Sequence, residues 1–481
     1  MNAWQSPRSS PRIALLTPYD GGNLGDATIQ EALIVNFRRQ NPQVQLCGIT
    51  LHPERTSLQH GIPCYPLAVT SRPCYATVRG GSERGNSDGR PFLGNVFRFL
   101  RHKARRIMPL RWLKSIFDEA LHVLRSYRVL SNVDLLVVAG GGQLDEEWGG
   151  SWGHPYALLK WSVLARAAGA SVVFMSVGAC QLRSRVTRLF IKIALELACY
   201  RSYRDRGSRD LALALTDKAT GAVVPDIAFS FPITSQDVVP QSVERGLCVA
   251  ISPIAYGCPG LWPTENAALH HYYVAQLATF VSTIVKNGAS VVLFSSSAPD
   301  EQVFRELTTQ LSVSLDEQCR RRLYTSNTTS LWELLDLIHR VDYVVASRLH
   351  GVLISFLAEK PSIAISYDRK VTSLMKDLDQ MEYCLDIHSL TSHALLERFL
   401  ALQNNGASTV KKLRDIRSLY NRCLQAQYRE VMHFAVGFSP VATERKDKTP
   451  SERVNEQSPD IVRVGNDGTY EVCEELRETR K

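Results

Sequence analysis

Two basic clusters carry the residue types that could do chemistry: Arg348 and His350 in SRLHG, and Arg369 and Lys370 in YDRKV. Each cluster follows a short apolar run, DYVVAS and SIAISY, of the kind a buried strand uses. A packed core has no need of cations at such points, whereas an anionic ligand does. Arg holds a phosphate or carboxylate through two parallel hydrogen bonds. A helix starting after SRLHG would add unpaired N–H groups and the positive end of its dipole. His350 can exchange a proton near neutral pH. Arg348 and His350 are therefore read as an anion site with acid–base capacity. Lys370 is read as a second anion contact, and Arg369 as a solvated charge.

Further candidates lie in glycine-rich turns. In DGGNLGD, Gly21, Gly22 and Gly25 allow close backbone approach to a ligand. Asn23 would bond a sugar or stabilise the turn, and Asp26 would cap a helix, the preferred reading, or act as a base on a hydroxyl. The loop is neither G-x-G-x-x-G nor a P-loop, so a dinucleotide or ATP site has little support. Gly141 and Gly142 line a cleft or make a tight turn. Asp145, Glu146 and Glu147 are read as a solvated acidic turn, and Asp226 as a turn or cleft residue. His154, at the front of a helix, is a candidate for touching a ligand. His270 and His271 are read as opening a helix rather than binding metal. The 11 cysteines are scattered with no C-x-x-C pair, so they are read as mostly reduced and buried, Cys180 and Cys199 among them, and no metal site is expected.

The elements that must position these residues alternate. Strands are expected at 12–19, 134–139, 171–177 and 202–203, with helices over 27–39, 154–168, 186–200 and after Gly207. GAVVPDIAFSF closes this half, and a polar, proline-containing stretch, 236–246, reads as a linker. A second series follows: strands at 247–253, 290–296, 342–347 and 362–367, with helices over 270–286, 331–339, 352–359 and from 371. The fold class is α/β, with two Rossmann-like domains facing across a cleft, the arrangement called GT-B-like. The domains are 1–235, carrying a basic insertion at about 70–128, and 246–435. A charged tail, 436–481, is expected to be disordered.

At 481 residues, two domains are the prior; 44% hydrophobic and 21% charged content is ordinary for a globular protein. The net charge of +9 suits anionic small molecules, a membrane surface or nucleic acid without choosing among them. The segment 96–128 mixes apolar and basic residues and reads as a helix packed on the sheet with a solvated basic face, or as a membrane-surface helix. No secretory signal or membrane-spanning run is evident, so a cytoplasmic protein is expected.

Several stretches together resemble the polysaccharide pyruvyl transferase family: GGNLGDATI, AGGGQL, SVGA, SYRDRGS, VPDIAF and SRLHGVLISFLAEKPSIAISYDRKVTSLMKDL. The last is the most specific, and the resemblance runs over about residues 12–390, leaving the insertion and tail outside. It implies transfer of the pyruvyl group of phosphoenolpyruvate onto two hydroxyls of a sugar, giving a cyclic ketal and phosphate. By resemblance, the donor-binding residues are Arg204, Arg348, Leu349, His350 and Lys370, with His350 the acid and Arg348 its catalytic partner. Acceptor or cleft residues would be Asn23, Asp26, Gly141, Gly142 and His154. No cofactor or metal is implied; the partners are phosphoenolpyruvate and a sugar acceptor, lipid-linked in one version. No nucleic acid is expected, and 96–128 would supply peripheral contact at the inner membrane face. The competing readings are a nucleotide-sugar glycosyltransferase of the same fold and a non-catalytic polyanion- or membrane-binding scaffold.

Overall fold

A computed structural model describes residues 10–17, 24–69, 114–147, 149–233, 246–262, 264–295, 300–328 and 330–436. Gly21, Gly22, Asn23, most of the insertion, the linker and the C-terminal tail lie outside the described residues.

One sheet contains β1 (Arg12–Leu16), β2 (Gln45–Thr50), β3 (Cys64–Pro66), β4 (Leu135–Ala139), β5 (Ser171–Val177), β6 (Tyr200–Tyr203) and β7 (Ala222–Val223), in the order β3-β2-β1-β4-β5-β6-β7. The other contains β8 (Cys248–Ser252), β9 (Ser290–Ser295), β10 (Leu323–Asn327), β11 (Tyr343–Ala346), β12 (Ser362–Ser366) and β13 (Cys384–Asp386), ordered β10-β9-β8-β11-β12-β13. Every pairing within both sheets is parallel. The helices are α1 (Leu24–Gln40), α2 (Pro53–His60), α3 (114–130), α4 (His154–Ala167), α5 (Arg185–Leu197), α6 (Arg206–Leu213), α7 (Ala267–Lys286), α8 (Asp300–Ser314), α9 (Glu317–Arg320), α10 (Leu331–His339), α11 (Leu349–Leu357), α12 (Arg369–Asp377), α13 (Ser392–Asn404) and α14 (Gly406–Ala435).

Parallel strands are covered on both faces, so their runs are continuously apolar. Alternation then assigns each residue to a face. Ile13, Leu15, Leu135, Val137, Val173 and Met175 enter one core, which continues into the second domain through Val249, Val345, Leu424 and Tyr428. Ala14, Leu16, Leu136, Val138, Val172 and Phe174 enter a second core under α4 and α5, built around Trp161. The strand ends differ modestly from expectation because the glycine and proline turns begin early. β2, β3, β10 and β13 escape prediction: they are short, and their apolar periods are broken by Gln, Thr and Asp.

Two corrections bear on the site. The helix after SRLHG begins at Leu349, not at Val352, so Arg348 is its N-cap and His350 lies in its first turn. The helix after YD likewise begins at Arg369, capped by Asp368, whose side chain accepts from the Lys370 N–H. The last long helix, α14, packs on α1, β5 and the short helical turn Ile227–Ser230 of the first domain. Among the described cysteines none is in a disulfide; Cys258 and Cys423 are buried, but Cys199 is exposed. No described helix is long and apolar enough to cross a membrane.

Candidate active site

The C-terminal ends of parallel strands are where open α/β sheets bind ligands, and the loops there converge. Gly140 follows β4, Gly178 follows β5, Arg204 follows β6, and Arg348 and Tyr367 follow β11 and β12. The register of β5 on β6 shifts between Phe174 and Val177, and Ser176 sits there at a positive φ of 48°. The Ser202 hydroxyl accepts its N–H at 2.7 Å. This irregularity turns the backbone towards Gly178, whose N–H bonds the Gly141 carbonyl at 2.6 Å. Gly141 has φ +67°, a conformation that a side chain strains.

Arg348 is anchored rather than free. Its Nε donates to Asp300 Oδ2 and its Nη2 to Asp300 Oδ1 at 2.9 Å. Asp300 is fully buried and also accepts the Ala255 N–H at 2.9 Å. Burial opposes the charge on Arg348, yet pairing with Asp300 outweighs it and raises the pKa above the ordinary arginine value. The planar fork therefore keeps a fixed orientation, with further N–H donors left for a ligand.

Arg204 comes from the other domain. Its Nη1 lies 3.4 Å from Asp226 Oδ2 and its Nε 3.6 Å from Asp205 Oδ2. Both carboxylates also cap helices: Asp205 starts α6 and Asp226 starts the turn at Ile227. A Cβ on Gly178 would sit 2.7 Å from Arg204 Nη2, so that glycine gives the guanidinium room.

His350 stands between these groups. Its ring lies directly on Gly25 of α1, so that a Cβ there would overlap it. The close approach expected of that glycine is thus made to His350 across the domains. Burial drives the His350 pKa down; Asp226 opposes this, and Arg204, Arg348 and Lys370 reinforce it, leaving it at about 4. At neutral pH the ring is uncharged, contrary to the expectation of a histidine titrating near 7. Lys370 is half-buried and feels Asp368, Glu147 and Asp145. Burial works against its charge, but Cys180 and these carboxylates outweigh burial and raise its pKa.

The remaining candidates separate. Leu349 opens α11 and packs against the core. Asp26 is in the first turn of α1, inside the helix rather than at its cap. A Cβ on Gly141 would be 3.6 Å from Asp26 Oδ1, and one on Gly142 would be 3.4 Å from Asp145 Oδ2. His154 is fully buried: its Nε2 bonds Gln143 Oε1 at 2.9 Å, and its Nδ1 is buried without a hydrogen-bond partner among the described residues, so the ring lies inside the core rather than on the cleft surface. The acidic turn is not solvated as a unit. Asp145 is buried, and Glu146 accepts the N–H groups of Arg183 and Ser184 at the start of α5. Arg369 is exposed, but a Cβ on Gly207 would lie 3.1 Å from its Nη2, so it faces α6. Sequence reasoning missed Asp300 and an aromatic group formed by Tyr256, Trp262 and Tyr367, whose centroids are 5.2–5.6 Å apart. The local signal for Asp300 was only a helix start. Tyr256 and Trp262 share a Pro- and Gly-rich loop whose folding the sequence does not show. A separate cavity of about 180 Å³, lined by Arg39, Phe231, Arg417 and Asn421, shares none of these groups.

Comparison with known families matches residues 23–369 to one described as Polysaccharide pyruvyl transferase. A search of curated proteins finds no significant match. Among solved structures, the UDP-GlcNAc 2-epimerase from Neisseria meningitidis bound to UDP-GlcNAc is similar at 11% identity and TM-score 0.51, over 88% of this chain and 99% of that one. The UDP-GlcNAc 2-epimerase from Methanocaldococcus jannaschii is similar at 9% identity and TM-score 0.50, over 85% and 99%. These likenesses show the shared two-domain, GT-B-like fold.

Proposed function

Because the chain belongs to the polysaccharide pyruvyl transferase family, and is thus a transferase, we propose that phosphoenolpyruvate is its donor and that the product is a cyclic ketal on a sugar. One observation carries this reading: cationic Arg204, Arg348 and Lys370 surround a single uncharged histidine. A donor with a carboxylate and a phosphate needs cations at separated points, and a proton source at its enol carbon.

The chemistry follows from the electrostatics. Burial is the main cause of the lowered His350 pKa, with the three cations adding to it; the donor's carboxylate and phosphate bring negative charge beside the ring that outweighs both, so the ring takes up a proton. The imidazolium then protonates the donor methylene, and the central carbon becomes oxocarbenium-like. One sugar hydroxyl adds to that carbon and returns its proton to the now neutral His350. Phosphate leaves with its bridging oxygen and that proton. The second hydroxyl closes the ketal and releases its own proton. Proton transfer of this kind contributes a factor of about 10² to 10⁴ in rate. Arg348, held by Asp300, and Arg204 stabilise the phosphate and carboxylate charge throughout.

Calorimetric titration with phosphoenolpyruvate, in buffers of different ionisation enthalpy, tests this reading. Saturable binding with proton uptake at pH 6–7 (about half a proton or more), abolished in His350→Asn, is the expected result. Binding of nucleotide sugars and none of phosphoenolpyruvate would sink it in favour of a glycosyltransferase.

We also propose that the acceptor is lipid-linked and reached from the membrane surface. The described part of the basic segment supports this. His122, Ser126 and Leu130 form the buried face of α3, whereas Ile116, Phe117 and Leu124 are 59%, 68% and 59% exposed beside Lys114, Arg125 and Arg128. Flotation with anionic vesicles should fall several-fold in a triple Glu variant at 116, 117 and 124; unchanged flotation would refute the membrane contact.

A further inference from the structure

The loop after β8, helix α7 and helix α8 bring together Cys258, His270 and Glu306. One ligand atom from each lies within 4.8 Å of the others. Cys258 and His270 are both 1% exposed and Glu306 is half-buried. We propose that these three side chains bind a zinc-class divalent metal ion that clamps the loop carrying Tyr256.

The donor set selects the metal. A thiolate, an imidazole and a carboxylate suit zinc and its neighbours, whereas calcium and magnesium take oxygen ligands. Tetrahedral coordination at zinc bond lengths places ligand atoms roughly 3.3–3.7 Å apart. Small side-chain shifts bring these three atoms to that spacing.

The imidazole supplies an independent argument. Its Nδ1 lies 3.1 Å from the Tyr256 carbonyl oxygen, which can only accept, so Nδ1 carries a proton. Its Nε2 lies 2.9 Å from Glu306 Oε2. In the neutral ring that nitrogen is also an acceptor, and it faces a carboxylate. Two lone pairs at that distance require something positive between them: a proton, on the ring or on the carboxyl group, or a metal ion. The Nδ1–H to carbonyl bond is the outer contact that fixes a metal-binding histidine in its tautomer. Cys258, buried and within 4.8 Å, adds a ligand for which a simple histidine–carboxylate pair has no use.

The loop is built to hold this geometry. Gly257 turns at φ +67°, and its carbonyl accepts the N–H of Asn266, the cap of α7. Tyr256, next to that turn, packs on Trp262 and Tyr367. Tyr367 in turn lies close enough to Arg348 to act on its charge. The ion would therefore fix the aromatic wall beside the anion site without touching the reacting atoms. It would give His270, which does lie near the start of α7 as the sequence suggests, a role beyond opening that helix.

The test uses the full chain and does not depend on turnover. The purified protein is stripped with chelator, titrated with zinc, and separately loaded with cobalt(II). We expect about one ion per chain and a rise in thermal midpoint with zinc. Cobalt should give a thiolate-to-metal charge-transfer band that Cys258→Ser abolishes and Glu306→Gln shifts. Absence of a stoichiometric ion in the wild-type protein overturns the proposal and leaves the histidine–glutamate pair. A cobalt thiolate band that survives in Cys258→Ser overturns it too, by assigning the ion to other cysteines. Should Cys258→Ser fail to fold, His270→Gln and the zinc dependence of the wild-type midpoint still decide the matter. Neither readout requires phosphoenolpyruvate, so failure here is separable from failure of the donor assignment.

Discussion

Arg348 and Asp300 cannot be changed independently. Removing the guanidinium leaves a fully buried carboxylate without its cation, which costs about 3–5 kcal/mol. Arg348→Ala should therefore lower stability by that order in urea denaturation, besides losing donor binding. Arg348→Lys is the sharper probe: it keeps the charge but loses the fork, so donor affinity should fall at least about tenfold with most of the stability retained. Equal affinity in Arg348→Lys would remove Arg348 from the donor site. His154 provides the acid-dependent prediction. Burial lowers its pKa from 6.5 to about 4, so the folded state binds fewer protons than the unfolded state between those values. Stability then rises with pH across that window, and at pH 4 this group alone costs about 3 kcal/mol. His154→Leu should flatten the stability–pH profile between pH 4 and 6.5. A profile parallel to that of the wild type would show that His154 is not held neutral.

At the scale of elements, the first turns of α1 and α11 meet at Gly25 and His350. Any side chain at position 25 collides with the imidazole, and the collision is with a ring inside a helix turn, which has little freedom to yield. Gly25→Ala should displace His350 by a fraction of an ångström or more and lower turnover by about 10²-fold. The thermal midpoint should change little, since most of the α1 core contacts persist. A fully active Gly25→Ala enzyme would mean that the histidine ring sits elsewhere during the reaction. The starts of α6 and α12 follow the same logic: Asp205 and Asp368 cap their helices and simultaneously place Arg204 and Lys370. A cap chosen for local hydrogen bonding thereby sets the position of a cation.

For the whole molecule, α14, the last described helix, packs back on the first domain. Gln427 is fully buried, accepts from the Ser202 hydroxyl at 2.5 Å and donates to the Ser176 hydroxyl at 3.2 Å. These serines belong to the irregular stretch that leads to Gly178 and Arg204. Gln427→Leu would leave the Ser176 hydroxyl without that donor, at about 1–3 kcal/mol for a buried group left unsatisfied, while the Ser202 hydroxyl keeps the Ser176 N–H and the Phe174 carbonyl. The variant should unfold at lower denaturant and bind donor more weakly. Wild-type stability and affinity would show that α14 merely covers the core.

The sequence by itself determined what is local. Apolar runs with flanking glycines and prolines mark the central strands, because a parallel strand covered on both faces must be apolar throughout. The R-x-H turn and the family motifs made the second domain's cations legible, since a cation directly after a buried run is informative wherever the chain goes next. Tertiary structure alone decided which groups face each other. The partners of Arg348, His350 and Arg204 come from distant parts of the chain, namely Asp300, Gly25 and Asp226. The lowered pKa of His350 comes first from its burial between the domains and then from charges of both, and the burial of His154 depends on how α4 sits on its sheet. The Cys258, His270 and Glu306 cluster carries no spacing motif at all, because its members are neighbours only after β8, α7 and α8 have packed.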